Sequence, residues 1–383
     1  MLAVEDAKHR YRSDDYMIIR KLKIQEHECT RELWGKIFHE DGPEFLDYYY
    51  NNIASNNEIY VVEMDGDIRS MLHLNPYMCK VGKREMPISY IVGVATDPGY
   101  RKRGQMKELL RKAVRDMYHK NMPFTFLMPA AQAIYYPHGF RFIYNQDQWE
   151  VVCEEAKTVT AEEICKNSEG CKVIIRKANS KDCKKMAAFA EEQLSQTMHV
   201  YTSRDWEYYD RMLKEQESQK GGILLAEKDG EICGMVLYDE WEGFNVREPL
   251  GSFEGTGLYM CVKKKKPMIM ARVLHVETLL SSLRCEDDLD IQFQLVDPII
   301  RENNKVFFVK GNADGIVVRT KPVISGKKQD IQLISADALT SILFGYKELE
   351  KIEEEEKEYF SEEFKEQIRK IKTLNPVFIN EIV

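Results

Sequence analysis

A short segment near residue 100 carries the most chemically informative residues of this 383-residue chain. An apolar strand pattern ends at Thr96, a Pro-Gly turn follows, and three bases at 101–103 precede Gly104, where a helical pattern begins. The start of a helix presents unpaired N–H donors and the positive end of its dipole. Glycine lets an anion approach the backbone, and the bases add positive potential. This arrangement predicts a cradle for a diphosphate; the simpler alternative is a basic turn that caps a surface helix.

Strand and helix signals alternate around this cradle. Two apolar runs, 59–63 and 68–74, flank Asp65-Gly66, a dipeptide typical of a tight β-hairpin. Residues 88–96 predict the strand that leads into the cradle. Residues 104–120 predict the helix that leaves it, because apolar residues recur there every three to four positions. Further predicted elements are a strand at 124–128, a short helix at 131–136 and a strand at 140–143.

The hairpin has a second copy in the middle of the chain. The sequence of residues 62–71, VEMDGDIRSM, returns at residues 226–235 as AEKDGEICGM. Such self-similarity is compatible both with a duplicated domain and with a chance match of two Asp-Gly turns. No basic, glycine-punctuated turn follows the second copy between Asp239 and Pro267. A duplicated domain would therefore lack the part that carries chemistry.

The last third of the chain has a different character. The lysine run at 263–266, closed by Pro267, predicts a domain boundary. Residues 346–371 predict one long charged helix, whose Glu run at 353–356 is interpreted as a solvated face rather than an acidic recognition surface. The other predicted elements are strands at 271–276, 291–296, 306–309 and 316–319, and a helix at 336–344 capped by Ser335.

Composition and charge argue against several classes of protein. Hydrophobic residues at 44% and charged residues at 31% are typical of a folded chain, and the length predicts two or three domains. The net charge of −8 argues against a nucleic-acid partner. No apolar run reaches the ~18 residues of a membrane helix, and residues 1–12 lack a secretion signal, so we expect no membrane partner and a cytoplasmic protein. Nine cysteines without a CxxC pair indicate neither a disulfide framework nor a metal site.

Two segments resemble a known family of enzymes. Residues 94–106 resemble the acetyl-CoA loop of the GNAT N-acetyltransferases, which follows the pattern Arg/Gln-x-x-Gly-x-Gly/Ala. Met106 occupies the last small position of this pattern, which is similar to the enhanced-intracellular-survival (Eis) subfamily. Residues 128–140 resemble that subfamily's Pro-Ser/Ala-x-x-x-Ile-Tyr-x-x-Phe-Gly-Tyr segment, and residues 375–383 are like its buried tail.

The resemblance covers nearly the whole chain in domain order. It implies a mixed α/β (α+β) fold with an active GNAT acetyltransferase domain over residues 1–150 and a GNAT-like domain without an acetyl-CoA loop over residues 151–267. A sterol-carrier-protein-like domain would follow over residues 268–383. The resemblance also implies a homo-hexamer, a trimer of dimers with large contacts made by the later domains.

The resemblance assigns three segments to acetyl-CoA and two groups to catalysis. The strand end would present its backbone to the pantetheine and the acetyl group, the basic loop would wrap the diphosphate, and two alanines would border the far side. Tyr135 would be the general acid, and the free carboxylate of Val383 the general base. The implied cofactor-binding residues are Val94, Ala95, Thr96, Lys102, Arg103, Gly104, Gln105, Met106, Lys107, Ala130 and Ala131.

These residue types suit acyl transfer to an amine. The attacking amine must lose a proton, and a carboxylate can accept it through water. The departing thiolate, with a reference pKa of about 8.5, can take a proton from a phenol of reference pKa about 10. A strand N–H near Val94 would meet the tetrahedral oxyanion.

The acceptor is poorly marked in the sequence. The leading hypothesis is N-acetylation of a small cationic amine, such as an aminoglycoside or polyamine; a protein or peptide lysine acetyltransferase would differ only in its acceptor. A non-catalytic lipid or ligand carrier would not need both the cradle and Tyr135, and a tRNA-dependent aminoacyl transferase would be more basic. Trp34 and the Asp-Tyr-Tyr-Tyr run at 47–50 lie where GNAT proteins shape the acceptor pocket, but a core-facing aromatic stripe is the favoured interpretation.

Overall fold

The first part of the chain alternates strands and helices in the order that the sequence predicts. The computed structural model describes residues 9–10, 16–82, 84–152, 160–240, 243–323 and 331–381. The first elements are β1 (His9–Arg10), β2 (Tyr16–Lys21), α1 (Arg31–Ile37), α2 (Pro43–Asn52), β3 (Glu58–Met64), β4 (Asp67–Val81), β5 (Arg84–Thr96), α3 (Gln105–His119), β6 (Phe124–Leu127), α4 (Gln132–Tyr135), β7 (Arg141–Phe142) and β8 (Asn145–Val152).

The middle and last parts of the chain add two further sheets and a strand ribbon. Their elements are α5 (Ala161–Asn167), β9 (Ile174–Lys177), α6 (Cys183–Thr197), β10 (Val200–Thr202), α7 (Trp206–Ser218), β11 (Gly221–Lys228), β12 (Glu231–Asp239), β13 (Asn245–Gly251), β14 (Tyr259–Pro267), β15 (Met270–Val273), α8 (Val276–Leu280), β16 (Leu289–Val296), β17 (Lys305–Asn312), β18 (Gly315–Pro322), β19 (Gln332–Ser335), α9 (Ala336–Phe344), α10 (Leu349–Glu356), α11 (Glu362–Ile368) and β20 (Val377–Phe378). No helix among these described residues is both long enough and apolar enough to cross a membrane.

One large sheet dominates the fold. Its strands follow the order β1-β2-β3-β4-β5-β6-β15-β7, and they are antiparallel except where β5 meets β6. Helix α3 covers this sheet with the apolar stripe that the sequence predicts, because Leu109, Leu110, Ala113, Val114 and Met117 are all completely buried. The predicted helix and the strands before it are thereby confirmed.

The two hairpins of the internal repeat have the same backbone geometry. Asp65 and Gly66 both have positive φ angles (55° and 82°), as do Asp229 and Gly230 (52° and 83°). This pair of left-handed residues is the geometry that a two-residue hairpin needs. Each hairpin also has a register shift at the equivalent place, between residues 62 and 63 and between residues 226 and 227.

The elements around the hairpins repeat as well. In the first sheet two helices, α1 and α2, separate β2 from β3, and β2 to β5 are neighbours. In the second sheet two helices, α6 and α7, separate β9 from β11, and the order is β13-β12-β11-β9. The topology therefore repeats over a longer stretch than the ten residues that the sequence shows.

The boundary predicted at Pro267 does not separate the sheets. Strand β15 follows it directly but lies in the first sheet, between β6 and β7. Every residue of β15 is buried, which explains why this strand joins a large sheet instead of starting a new one. Strand β10 pairs with β4, and β20 pairs with β10, so the middle and the end of the chain also contribute to the first sheet.

The single long helix predicted over 346–371 is wrong. Helices α10 and α11 occupy this segment; α10 ends at Glu356, and the next residue, Lys357, is left-handed (φ 56°). Phe360, between the two helices, is completely buried, and its N–H donates to the Glu353 carboxylate at 2.7 Å. Burial of this ring requires the chain to turn inward, which a continuous charged helix does not allow.

The interpretation of the Glu run at 353–356 as a solvated face is also only partly right. Glu354 is exposed and pairs with Lys351 at 2.8 Å. Glu356 instead points inward and pairs with the buried side chain of Arg141 at 2.6 Å. One carboxylate of the run is therefore an internal partner of the first sheet.

Candidate active site

The loop between β5 and α3 is held by its own polar groups. The Asp97 carboxylate accepts a hydrogen bond from the Gly99 N–H at 3.1 Å and from the Lys36 ammonium group at 2.7 Å. Arg101 donates to the Thr96 carbonyl at 3.2 Å, and Arg103 donates to the Gly99 carbonyl at the same distance. The basic residues thus brace the loop that leads to the helix.

The start of α3 fits an anion. Helix α3 has 15 residues, and its N-cap residue, Gly104, is left-handed (φ 79°) and provides no side-chain cap. The first helical hydrogen bond runs from Glu108 to the Gly104 carbonyl at 3.2 Å, which leaves the N–H groups of residues 105–107 available. Lys102, in an uncommon left-handed conformation (φ 63°), and Arg103 lie exposed beside these donors. These donors and charges lie where the sequence predicts a diphosphate cradle, and the cradle stays a prediction.

Gln105 and Met106, two of the predicted cofactor-binding residues, have side chains that make structural contacts. The side chain of Gln105 is buried, and the Ser70 hydroxyl lies 2.6 Å from its Oε1 and 2.9 Å from Thr96 Oγ1. Met106 is half-buried and packs against the main core. Both residues therefore offer a ligand their backbone, while Lys107, beside them, is exposed.

Strands β5 and β6 separate next to this helix. They pair at one position, Tyr90 opposite Phe126, where the two rings stack with centroids 5.0 Å apart. Beyond that position, residues 91–96 of β5 have partners only on β4. A gap therefore opens between β5 and β6 on the side of the sheet edge where α3 begins.

A bulge in β5 changes its backbone within this gap. The register passes from Ala95 opposite Met71 to Val92 opposite His73, so Gly93 and Val94 together stand opposite a single residue of β4. Gly93 has a φ of 58°, and a Cβ added there would lie 2.5 Å from Trp34 Cζ3. This bulge takes Val94 out of the regular ladder between β4 and β5.

Tyr135 lies beyond the end of β6. The exposed residues Ala130 and Ala131 lead into α4, whose last residue is Tyr135. The Tyr135 ring is buried against Phe140, with centroids 6.0 Å apart, and burial raises its pKa to about 12. Its hydroxyl makes no hydrogen bond to any residue that the structure describes.

Tyr136 has different surroundings from its neighbour. The Arg141 guanidinium carbon lies 4.4 Å from the centroid of its ring. The Tyr136 ring is thus covered by a cation and is only half-buried, whereas the Tyr135 ring is buried in the apolar core.

A group of buried acids near Tyr90 was not anticipated from the sequence. Glu215, on α7, is buried, pairs with Arg247 at 3.3 Å, and burial raises its pKa. Burial also raises the pKa of Tyr77 and Tyr90, and the negative charges of Glu215 and Glu381 add to this effect. These acids come from the middle domain and the tail, so no local motif marks them.

The chain end enters the same region. Strand β20 runs parallel to β10, and Glu381, just beyond it, is buried. The Glu381 carboxylate accepts hydrogen bonds from Thr202, from Arg204 at 3.2 Å and from Tyr208 at 3.3 Å. In the sequence, the position of Glu381 inside an apolar tail was a signal that this carboxylate is buried with partners. Val383, the predicted base, lies outside the described residues.

The aromatic residues proposed for an acceptor wall belong to the core. Trp34, Tyr49 and Tyr50 are buried in one apolar cluster between the sheet and helices α1 and α2. Asp47 lies at the surface, where it pairs with Arg31. The favoured core interpretation is confirmed for these rings. Within the described ranges, no three His, Cys, Asp or Glu side chains are grouped so as to hold a metal ion.

Comparisons with known proteins agree with this geometry. Residues 18–143 match the family model of the acetyltransferase (GNAT) domain. Residues 18–143 are therefore a GNAT acetyltransferase domain, and the protein is an acetyltransferase. No curated protein matches the sequence.

Solved structures extend the likeness to the full length. A probable N-acyltransferase from Enterococcus faecalis V583 is 14% identical with a TM-score of 0.74, covering 94% of this chain and 98% of its own. A GCN5-related N-acetyltransferase from Anabaena variabilis is 12% identical with a TM-score of 0.75, covering 96% and 100%. Eis1 from Mycobacterium abscessus is 12% identical with a TM-score of 0.70, covering 95% and 100%. The whole chain is thus similar in fold to Eis1 and to these two proteins.

The bulge makes a stability prediction with an internal control. Gly93→Ala places a Cβ against Trp34 at a left-handed residue, whereas Gly66→Ala has the same handedness (φ 82°) and nothing within 4 Å. We expect Gly66→Ala to lower the free energy of unfolding by about 1–2 kcal/mol, and Gly93→Ala to lower it by at least ~1 kcal/mol more. Urea denaturation measures both, and equal losses would contradict the packing role of Gly93.

Proposed function

We propose that this protein is an acetyl-CoA-dependent N-acetyltransferase that acts on an amine of a small cationic acceptor, of aminoglycoside or polyamine type. One observation carries the proposal: the gap between β5 and β6 has an anion-binding helix start at one end and the unpaired Tyr135 hydroxyl beyond the other strand. A thioester donor with a diphosphate needs both features on the two sides of one opening.

The residues that would hold acetyl-CoA are those of the strand end, the loop and the start of α4. Residues 94–96 present the strand backbone, residues 102–107 present helix N–H groups and positive charge, and Ala130 and Ala131 border the opening. When bound, acetyl-CoA supplies an activated acetyl group and a thiolate leaving group. The N–H of Val94, in the bulge of β5, is our candidate for stabilising the oxyanion.

Tyr135 is our candidate for the general acid. Because burial raises its pKa to about 12, the phenol stays protonated throughout the neutral range and is available as a donor. The general base assigned to the Val383 carboxylate is a prediction from the sequence alone.

We place the acceptor amine beside the buried acids of α7 and the tail. Glu215 and Glu381 bring negative charge to a region that also contains Tyr77 and Tyr90. Carboxylates in a low-dielectric wall favour a cationic amine, and here Arg247 and Arg204 offset part of their charge. A lysine side chain of a protein or peptide satisfies the same chemistry and is the second candidate acceptor.

The domain layout and assembly are proposed with the activity. The repeated hairpin, bulge and helix pair support a second GNAT-like domain without an acetyl-CoA loop. The four-stranded sheet β18-β17-β16-β19 with helices α9 to α11 is the candidate sterol-carrier-protein-like domain. For the homo-hexamer, light scattering at micromolar concentration is the test, and a monomer would contradict it.

An acceptor screen with free-thiol detection tests the proposed function. Spermine, kanamycin and a lysine-containing peptide are suitable acceptors, and saturating acetyl-CoA should raise the melting temperature. If neither thiol release nor a thermal shift occurs at millimolar acetyl-CoA, the non-catalytic carrier becomes the better hypothesis.

The cradle makes a prediction about acetyl-CoA affinity. Replacing Arg103 by Glu and Gly104 by Val puts a negative charge and a β-branched side chain where the diphosphate should bind. We expect KM for acetyl-CoA to rise at least ~tenfold. Lys181→Glu, the same charge change at an exposed residue in the middle of the chain, is the control and should leave KM unchanged. An unchanged KM in the double variant would place the cofactor elsewhere.

The acid makes a prediction about turnover. Tyr135→Phe should lower kcat by about 10² to 10³ and leave KM for acetyl-CoA nearly unchanged, because only the hydroxyl is removed. Tyr136→Phe is the matched control. In the wild type, kcat/KM should rise as the acceptor amine deprotonates and should not fall again up to about pH 10, because the pKa of Tyr135 is about 12. A larger loss in Tyr136→Phe would contradict the assignment.

The proposed acceptor region around Glu215 makes a prediction about acceptor affinity. Glu215→Gln removes one buried charge while it keeps the side-chain shape, and we expect KM for spermine to rise about tenfold with KM for acetyl-CoA unchanged. Glu217→Gln, two residues further along the same helix but exposed, is the control. Equal acceptor KM values in the two variants would remove Glu215 from the acceptor site.

A further inference from the structure

The turn that carries Tyr135 has little local structure to hold it. Helix α4 has four residues, and so short a helix is not stable on its own. It runs into a 3-10 turn, Tyr136–His138, and Gly139 then reverses the chain with a left-handed φ of 80°. The orientation of Tyr135 therefore depends on contacts from other parts of the chain.

Arg272, on β15, makes one of these contacts. Its side chain is completely buried, donates from Nη1 to the His138 carbonyl at 2.9 Å, and pairs through Nη2 with Asp297 at 2.6 Å. The Asp297 carboxylate is fixed in turn by the backbone N–H groups of residues 299–300, each 2.9 Å away. The fit at the turn is close, because a Cβ on Gly139 would lie 1.8 Å from Arg272 Nη1.

Arg141, on β7, makes the other contacts. Its Nη1 donates to the carbonyls of Tyr136 at 3.0 Å and Phe140 at 2.9 Å. Its remaining N–H groups pair with Asp337 at 2.8 Å and with both oxygens of Glu356 at 2.6 Å. Only 7% of the Arg141 side chain and 10% of the Glu356 side chain are exposed.

All three carboxylates belong to the last segment of the chain. Asp297 follows β16, Asp337 lies in the first turn of α9, and Glu356 ends α10. Planar guanidinium groups can bond a carboxylate on one edge and carbonyl oxygens on another, which an ammonium group cannot do with the same geometry. The carboxylates hold the arginines in place, and the arginines hold the carbonyls of residues 136, 138 and 140.

We propose that Arg141 and Arg272, the arginine clamp, are positioning residues for Tyr135. The proposal rests on the role of Tyr135 in the proposed function. The clamp fixes the turn that follows Tyr135 and so keeps the phenol directed at the gap between β5 and β6. The C-terminal segment thereby controls the general acid through charge pairs, without supplying a group to the reacting atoms.

A double-mutant cycle on the full chain tests this proposal. Arg141→Met removes one guanidinium group. Glu356→Gln removes only the charge of the carboxylate that pairs with Arg141, so it keeps the test valid if Arg141→Met does not fold. Each is made in the wild type and in Tyr135→Phe. Glu354→Gln is the matched control, because Glu354 lies on the same helix and 72% of its side chain is exposed. Thiol release from acetyl-CoA with spermine, kanamycin and a lysine peptide as acceptors gives kcat and KM.

We expect each clamp variant to lower kcat of the wild type by about tenfold, since a misplacement near 1 Å can cost up to ~10²-fold. KM for acetyl-CoA should stay within about twofold. In Tyr135→Phe the same clamp variants should lower kcat by less than about twofold further, because the hydroxyl that they position is already absent. Glu354→Gln should change neither constant.

Other results would overturn the proposal, and they differ from a failure of the proposed function. An equal fold-loss of kcat in the wild type and in Tyr135→Phe would show a general effect on stability. A rise in KM for acetyl-CoA at constant kcat would place the clamp in cofactor binding. Full activity of Tyr135→Phe would remove the acid and the clamp together. A wild type that neither binds acetyl-CoA nor releases thiol with any acceptor would instead refute the proposed function.

Discussion

Strands β5 and β6 pair at a single position, Tyr90 with Phe126, and the rest of the site depends on their separation. Two parallel strands at the centre of a sheet normally remain hydrogen-bonded along their length, because unpaired backbone groups are costly to bury. Here β5 keeps its partners on β4, and β6 takes new antiparallel partners on β15, so each strand is satisfied on its outer side. The gap between them is left with backbone donors that a ligand can use, and α3 begins at its edge.

The C-terminal part of the chain packs against β6, next to this opening. Strand β15 is inserted between β6 and β7, and α9 packs on the same region, where the Phe344 and Phe124 rings meet edge to face with centroids 5.3 Å apart. Buried charge pairs accompany the apolar contacts: Arg272 with Asp297, and Arg141 with Glu356. A buried pair that loses one partner leaves an uncompensated charge, which is strongly destabilising. The last segment therefore packs against the first domain next to the candidate site, although it follows some 120 residues later in the sequence.

The middle segment shows what the repeat preserves. Its hairpin has the same left-handed turn and the same register shift as the first, but β13 leads into β14 instead of a helix with a free start. Over residues 243–267, which the structure describes, no helix start follows β13 that could offer a diphosphate its N–H groups as the start of α3 does. To the proposed acceptor region the segment contributes α7 with Glu215, together with Arg204, which pairs with Glu381 of the tail.

The sequence by itself determined the features whose cause is local. Asp65-Gly66 encodes its turn through two left-handed residues, the stripe from Leu109 to Met117 encodes α3, and the bases before Gly104 encode the cradle. Only the tertiary structure decided the features that join distant residues: the place of β15 in the first sheet, the break at Phe360, and the burial of Glu215. A propensity or a periodicity reports on a few neighbouring residues, whereas strand partners and charge pairs are selected by the packing of the whole chain. For this reason the candidate diphosphate loop could be predicted from the sequence, whereas the charges around Tyr135 and in the proposed acceptor region could not.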